Sequence, residues 1–331
     1  MKKLLWSIFL FLSAFLLLSC GGSGEKGEIP DTNEKISIAV IPKGTTHEFW
    51  KSINAGAIKA SRELGVAVIW KGPLREDDRE EQIQVVETFV SSKVDAIVLA
   101  PLDDRALILP VREAREQNIP TIIIDSDLQG DYHVSFIATD NYKGGVLAAE
   151  RIGELLGGKG RLVIIRYQEG SASTTAREAG FLDTIKSRFP DIEILSDNQY
   201  AGATTETAQR VAENLLNRFG ELDAYFSPNE SSTFGSLRAI QDIGLAGKII
   251  FVGFDSSIRL IEAMEKGEIH GLVLQNPFKM GYVGVKTAHA YLKGEKVEKR
   301  IDTGVVLATP ENMNDPEIKQ LLNPDLSQYF D

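Results

Sequence analysis

The chain has one cysteine and four histidines in 331 residues. A single cysteine, Cys20, excludes an internal disulfide. His47, His133, His270 and His289 are scattered without ligand spacing, so no metal site is expected. Basic residues are also in deficit: 36 Lys and Arg stand against 47 Asp and Glu, a formal net charge of −11. That balance argues against nucleic acid, whose phosphates need basic patches. No basic helix-turn-helix segment precedes the globular part. Enzyme motifs are missing too. No GxGxxG follows a strand, and there is no Walker A sequence, HExxH or GxSxG elbow. The chain reads as a non-enzyme without cofactors. After the first eighteen residues no apolar stretch is long enough to cross a bilayer.

What is present begins with an export signal. Lys2 and Lys3 precede an apolar run from Leu4 to Leu18, too short and wrongly flanked for a permanent span. Leu17-Leu18-Ser19-Cys20, followed by Gly21-Gly22, resembles a bacterial lipoprotein cleavage site. Residues 1–19 would then be removed, and Cys20 would carry the lipid. Residues 20–35, rich in Gly and polar side chains, read as a flexible tether. The expected location is extracytoplasmic, in the periplasm or lipid-anchored to the cell membrane, attached to the bilayer rather than threaded through it.

From Lys35 onward, short Val- and Ile-rich runs alternate with amphipathic stretches. The runs are Ile36–Ile41, Val66–Trp70, Ala96–Ala100, Thr121–Ile124, Arg161–Ile165, Ala224–Phe226, Ile249–Phe254 and Gly271–Leu274. Unbroken apolar runs of this length suit parallel strands buried on both faces. Ile53, Ala57, Ala60 and Leu64 fall on one helical face that stops at Gly65; Phe234, Leu237 and Ile240 do the same before Gly244. The fold class is α/β, with two Rossmann-like parallel-sheet lobes as the expected division.

Polar residues gather where strands end. Ile36–Ile41 runs into Pro42-Lys43 and on to His47; Thr121–Ile124 ends at Asp125-Ser126. Ala224–Phe226 leads to Asn229, Ile249–Phe254 to Asp255, and Gly271–Leu274 to Gln275. Open α/β sheets bind ligands outside the carboxyl ends of their strands. Asp125 and Asp255 accept hydrogen bonds, Arg177 donates several, and Asn229 and Gln275 do both. Phe49 and Trp50 stand beside them. A sugar presents hydroxyls around its rim and an apolar C–H face, and this set matches both. Taken singly, each residue has another reading: Asp125, Asp255 and Asn229 as helix caps, Phe49 and Trp50 as core, Arg177 as a surface residue.

With these residues in view, the chain resembles the type I periplasmic sugar-binding proteins, the ribose-binding-protein group. The carriers are His47-Glu48-Phe49-Trp50 with Ala55-Gly56-Ala57, Ile119-Pro120 followed by Asp125, and Ala138-Thr139-Asp140-Asn141 with Gly144-Gly145. Ala176-Arg177 with Gly180-Phe181, Asn229-Glu230, Val252-Gly253-Phe254-Asp255, Leu274-Gln275 and Lys293-Gly294-Glu295 complete them. The resemblance implies two lobes joined by a three-crossover hinge. Residues 36–139 with 276–304 would form the N-terminal lobe, and 140–275 with 305–331 the C-terminal lobe. Ligand contacts would fall on Lys43, His47, Phe49, Trp50, Asp125, Ser126, Arg177, Asn229, Asp255 and Gln275. It also implies hinge closure around a small sugar, and delivery by a monomer to the permease subunits of an ABC importer.

Three departures bear on the ligand. Asp125-Ser126 stands where the family often has Asp-Arg. Ala203 stands near where the second lobe often supplies an aromatic, with Tyr200 the nearest candidate to replace it. Lys43 stands where a small residue is frequent, which would suit an acidic or otherwise modified sugar. Rival readings are a lipoprotein sensor reporting to a histidine kinase or chemoreceptor, a repressor of the same fold, and a sugar enzyme using Asp103-Asp104.

Overall fold

The computed structural model describes residues 35–330. The signal, Cys20 and the tether through residue 34 lie outside them. The chain first lays down β1 (Ser37–Ile41), α1 (Glu48–Leu64), β2 (Ala67–Trp70), α2 (Arg79–Ser91) and β3 (Ala96–Leu99). Next come α3 (Ile108–Glu116), β4 (Thr121–Ile124) and β5 (Ser135–Ala138). A second series follows: α4 (Asn141–Leu155), β6 (Lys159–Arg166), α5 (Ala172–Arg188), β7 (Asp191–Tyr200) and α6 (Thr205–Arg218). It continues with β8 (Ala224–Phe226), α7 (Glu230–Asp242), β9 (Ile250–Phe254), α8 (Ile258–Glu265) and β10 (Gly271–Leu274). The chain then makes α9 (Pro277–Leu292), β11 (Arg300–Asp302), β12 (Val306–Ala308), α10 (Pro316–Leu322) and a 3₁₀ turn at Ser327–Tyr329.

Two six-stranded sheets result, with one plan. The first runs β11-β5-β4-β3-β1-β2 and the second β12-β10-β9-β8-β6-β7. All pairs are parallel except β10 with β12. The central strands β3, β4 and β10 are buried along their whole length, as parallel strands covered by helices on both faces must be. Helix α9 packs on β3, β4 and β5 in the first lobe, and α4 packs on β9, β10 and β12 in the second. The chain therefore passes between lobes three times: after β5, after β10 and after β11. It makes a fourth return. Ile318, Leu321 and Leu322 of α10 pack on the second lobe's core. The 3₁₀ turn then docks on the first lobe, where Arg62 donates to the Gln328 carbonyl at 2.8 Å and Tyr329 lies 5.4 Å from Phe278.

The helices nearest the cleft cross at unusually close range. A Cβ on Gly56 would lie 2.0 Å from the Phe278 carbonyl oxygen, and one on Gly145 would lie 1.9 Å from that of Arg177. Only glycine permits these α1–α9 and α4–α5 approaches. The second crossing sets the position of Arg177.

Four strands go beyond the apolar runs. β7 is an edge strand with polar, exposed residues, so it has no buried run to betray it. β5 opens on Ser135, β11 carries Arg300 and Asp302, and β12 is a three-residue edge strand, so none stands out as an apolar run.

Candidate functional site

In each lobe the strand order reverses beside the first strand laid down, and loops leave the carboxyl ends of the sheet there. The two sets of loops face one another. Asp125 follows β4 at φ 63° and Asp255 follows β9 at φ 64°. Both are left-handed, a conformation that aspartate tolerates better than most side chains. Their amides still bond to the next strand, Asp125 to the Ile137 carbonyl at 3.0 Å and Asp255 to the Val273 carbonyl at 2.9 Å. The two lobes thus present equivalent carboxylates by an equivalent backbone device.

Between them lies a small space of about 30 Å³. Lys43, His47, Phe49, Trp50 and Asp125 line it from the first lobe; Arg177, Asn229, Asp255 and Gln275 line it from the second lobe and its hinge edge. Ser126 stands one layer back, where its hydroxyl accepts the Ser173 amide at 3.1 Å. Five further residues complete the wall: Glu76, Tyr167, Ser173, Thr174 and Glu230.

Arg177 is 2% exposed, in the interior of α5. Its Nε donates to Asn141 Oδ1 at 2.8 Å and its Nη1 to the Pro228 carbonyl at 2.9 Å. The guanidinium covers the Phe254 ring at 4.5 Å and reaches Asp255 Oδ2 at 4.0 Å. Gln275 Nε2 donates to Asp255 Oδ1 at 2.7 Å, which turns its Oε1 into a buried acceptor with no partner among the described residues. Burial pushes the Asp255 carboxyl above its ordinary range, against the pull of Arg177 and Gln275. Asn229 is the N-cap residue of α7, its Oδ1 receiving the Ser232 hydroxyl at 2.6 Å. Capping and site lining coexist in this one side chain.

Glu76 gathers the aromatic wall. Its carboxylate accepts Trp50 Nε1 at 2.6 Å and the Tyr167 hydroxyl at 2.5 Å, and lies 3.4 Å from His47 Nε2. Phe49 and Trp50 meet edge to face at 5.0 Å. Trp50 also belongs to the first lobe's core, and Phe49 packs against it. The second lobe's aromatic here is Tyr167, fully buried. Tyr200 is 41% exposed and stacks under Arg166 instead. Tyr167 is held from behind: Glu178 accepts its amide at 3.0 Å while paired to Arg166 at 2.6 Å.

Several of these contacts join one lobe to the other. Tyr167 to Glu76 is one, and Gln168 Nε2 to the Glu76 carbonyl at 3.0 Å is another. The Asp104 amide donates to the Gly170 carbonyl at 2.9 Å. Glu230, on α7, accepts the amides of Glu48 and Phe49 at 3.3 and 3.1 Å. Those are the first amides of α1, whose own N-cap residue His47 makes no side-chain cap. Burial raises the Glu230 carboxyl to about 7.

The charge on Lys43 is spent inside the protein. Its Nζ lies 3.1 Å from Asp125 Oδ2. Glu76, Asp125, Glu230 and Asp255 outnumber Lys43 and Arg177 around the space. Lys43 itself therefore offers no free charge to a ligand carboxylate, which removes the local ground for the acidic-sugar expectation.

Known proteins share this plan. A ribose import binding protein of Bacillus subtilis is 27% identical over 312 residues, covering 93% of this chain and 99% of that protein. A D-ribose/D-allose-binding protein of Pseudomonas aeruginosa is 28% identical, covering 92% and 97%. Among solved structures, a carbohydrate transporter solute-binding protein from Agrobacterium radiobacter, in complex with D-arabinose, superposes with a TM-score of 0.85. It is 36% identical over 88% of this chain and 100% of its own. An ABC transporter solute-binding protein from Agrobacterium vitis with bound D-fucose gives a TM-score of 0.84 at 37% identity, over 87% and 100%. The sequence profile described as "periplasmic binding protein domain" matches residues 38–296, and with relatives that align nearly end to end it makes this chain a member of the periplasmic binding protein family.

Proposed function

We propose that this protein captures a small neutral sugar or sugar-like ligand between its lobes and hands it, chemically unchanged, to the permease of an ABC importer. The observation that carries the reading is the convergence of Asp125 and Asp255 from equivalent strand ends onto one space. Arg177, Asn229 and Gln275 add donors and acceptors, and Phe49, Trp50 and Tyr167 add aromatic surface. Ring hydroxyls would meet the planar polar groups, and the C–H face the rings. The ligand contacts proposed are His47, Phe49, Trp50, Asp125, Arg177, Asn229, Asp255 and Gln275; Lys43 lines the space and holds Asp125 in place, and Ser126 acts through Ser173. Sugars bound by the structural relatives and ribose or allose named for the sequence relatives support the substrate class. Closure around the ligand would exclude water and strengthen each hydrogen bond. No residue is assigned a chemical step. Export, lipidation at Cys20 and a monomeric state complete the proposal.

The test is a thermal-shift screen against neutral monosaccharides, sugar acids, polyols and nucleosides. A ligand that binds only the folded protein raises its melting temperature with concentration. The expected hit is a neutral sugar or polyol, lost in Asp255→Ala. Turnover of the hit, or a hit indifferent to Asp255, would overturn the reading.

A further inference from the structure

Lys43 is 3% exposed, at the centre of the interface between the lobes. An ammonium has three N–H donors, and here each has an acceptor. One is Asp125 Oδ2 at 3.1 Å, on the same lobe. The others are the hydroxyls of Ser171 at 3.3 Å and Ser173 at 3.2 Å, at the start of α5 on the opposite lobe. Both serines are buried. A buried ammonium is tolerated only when paired and fully hydrogen-bonded. The Lys43–Asp125 pair lies within one lobe and can form however the lobes are arranged. Its two remaining donors are satisfied by protein only when the lobes meet.

We propose that Lys43 is an internal lobe-bridging group, which stabilises the closed form by linking Asp125 to Ser171 and Ser173 without any help from ligand. The bridging atoms all belong to the protein, so the contact is open to the unliganded chain. The unliganded protein then populates the closed form to a measurable extent. Removing the ammonium leaves Asp125 as an uncompensated carboxylate on closure, and removing the two hydroxyls leaves two buried N–H donors unpaired. Each change acts against closure, from opposite sides of the same bridge.

This inference rests on the two-lobe hinge reading but not on the identity of the sugar, so its test contains none. Spin labels at Leu74→Cys and Ile258→Cys, exposed sites on different lobes, are introduced into full-length protein carrying Cys20→Ser. Double electron–electron resonance then reads the closed and open populations directly, and small-angle scattering gives the radius of gyration of the unlabelled chain. Expected is a closed population in the parent, with the closed-to-open ratio falling at least about fivefold in Lys43→Met and in the Ser171→Ala/Ser173→Ala double variant. The double variant keeps the Lys43–Asp125 pair and the backbone amide that Ser173 gives to Ser126, so it separates loss of the bridge from loss of the lysine's charge. Circular dichroism and thermal unfolding confirm that both variants fold. A parent that is wholly open, or variants with the parent's closed fraction, would overturn the proposal. Failure of the sugar screen would leave these populations unaffected, so the two readings fail separately.

Discussion

Replacing Gly145 by alanine tests whether the α4–α5 crossing sets the site. The added Cβ would sit 1.9 Å from the Arg177 carbonyl oxygen, where real contacts essentially never fall under 3.0 Å. The obstacle is backbone, so no rotamer change relieves it, and the helices must part by about 1 Å locally. Overpacking of this kind costs about 3 kcal/mol at its upper end. Better helix propensity returns about 1 kcal/mol, leaving a loss of about 2 kcal/mol. At roughly 2–4 °C per kcal/mol for a domain of this size, the melting temperature should fall by about 4–8 °C. The same movement stretches the 2.8 Å bond between Arg177, on α5, and Asn141, on α4. With that anchor displaced, the guanidinium no longer points squarely at a bound sugar; losing one charge-assisted hydrogen bond to the ligand costs about 1.5–3 kcal/mol, so sugar affinity should fall by roughly ten- to a hundredfold. Thermal unfolding and calorimetric titration with the sugar from the screen measure both. Gly220→Ala is the control, since nothing lies within 4 Å of its added Cβ. A Gly145→Ala protein with unchanged melting temperature and affinity would refute the argument.

Tyr167→Phe removes one bond between the lobes while keeping the ring, and leaves Glu76 with Trp50 and His47. It should weaken sugar binding by about 1–2 kcal/mol, mainly through faster dissociation in stopped-flow; an unchanged off-rate would remove Tyr167 from the closing contacts. Affinity should also depend on pH through Glu230. Its carboxyl is raised by burial to about 7, against an ordinary 4.5, so the closed form binds the proton more tightly than an open, hydrated one. Closure therefore takes up a proton between these values, is favoured most below the lower one, and loses stability as pH rises through about 7. Asp255, also raised by burial, acts in the same direction. Calorimetry at pH 6 and pH 8 should show roughly tenfold weaker binding at the higher pH, with proton uptake on binding at pH 6; equal affinities would contradict it.

The interior of this fold was plain in the sequence, and its margins were not. Val- and Ile-rich runs mark β1, β3, β4 and β10 because burial on both faces leaves no room for polar residues. The edge strand β7 obeys no such constraint, and no unbroken apolar run marks it. The site divides in the same manner. Asp125, Asp255 and Gln275 follow strongly apolar strands, so the strand-end rule reaches them. Tyr167 obeys that rule too, one residue beyond the end of β6, but sits behind Arg166, which looks like the start of a surface loop. Glu76 lies in Arg75-Glu76-Asp77-Asp78-Arg79, a charged run typical of solvated loops. Only the tertiary structure brings its carboxylate under Trp50 and Tyr167. Glu230 was visible as a neighbour of Asn229, but the helix it caps belongs to the other lobe, a relation no local pattern encodes.

The fourth return of the chain bears on how this protein could serve as a sugar sensor. The fold begins at β1 in the first lobe, and its last described turn, Ser327–Tyr329, is fastened to the same lobe through Arg62 and Phe278. The second lobe is therefore held like a domain inserted into the first. Fluorescent proteins fused near residues 35 and 330 would ride on one rigid body and keep their separation while the cleft opens and shuts. A useful reporter needs one fluorophore inside the second lobe, and the turn around Gly220, where space is open, is the place to insert it.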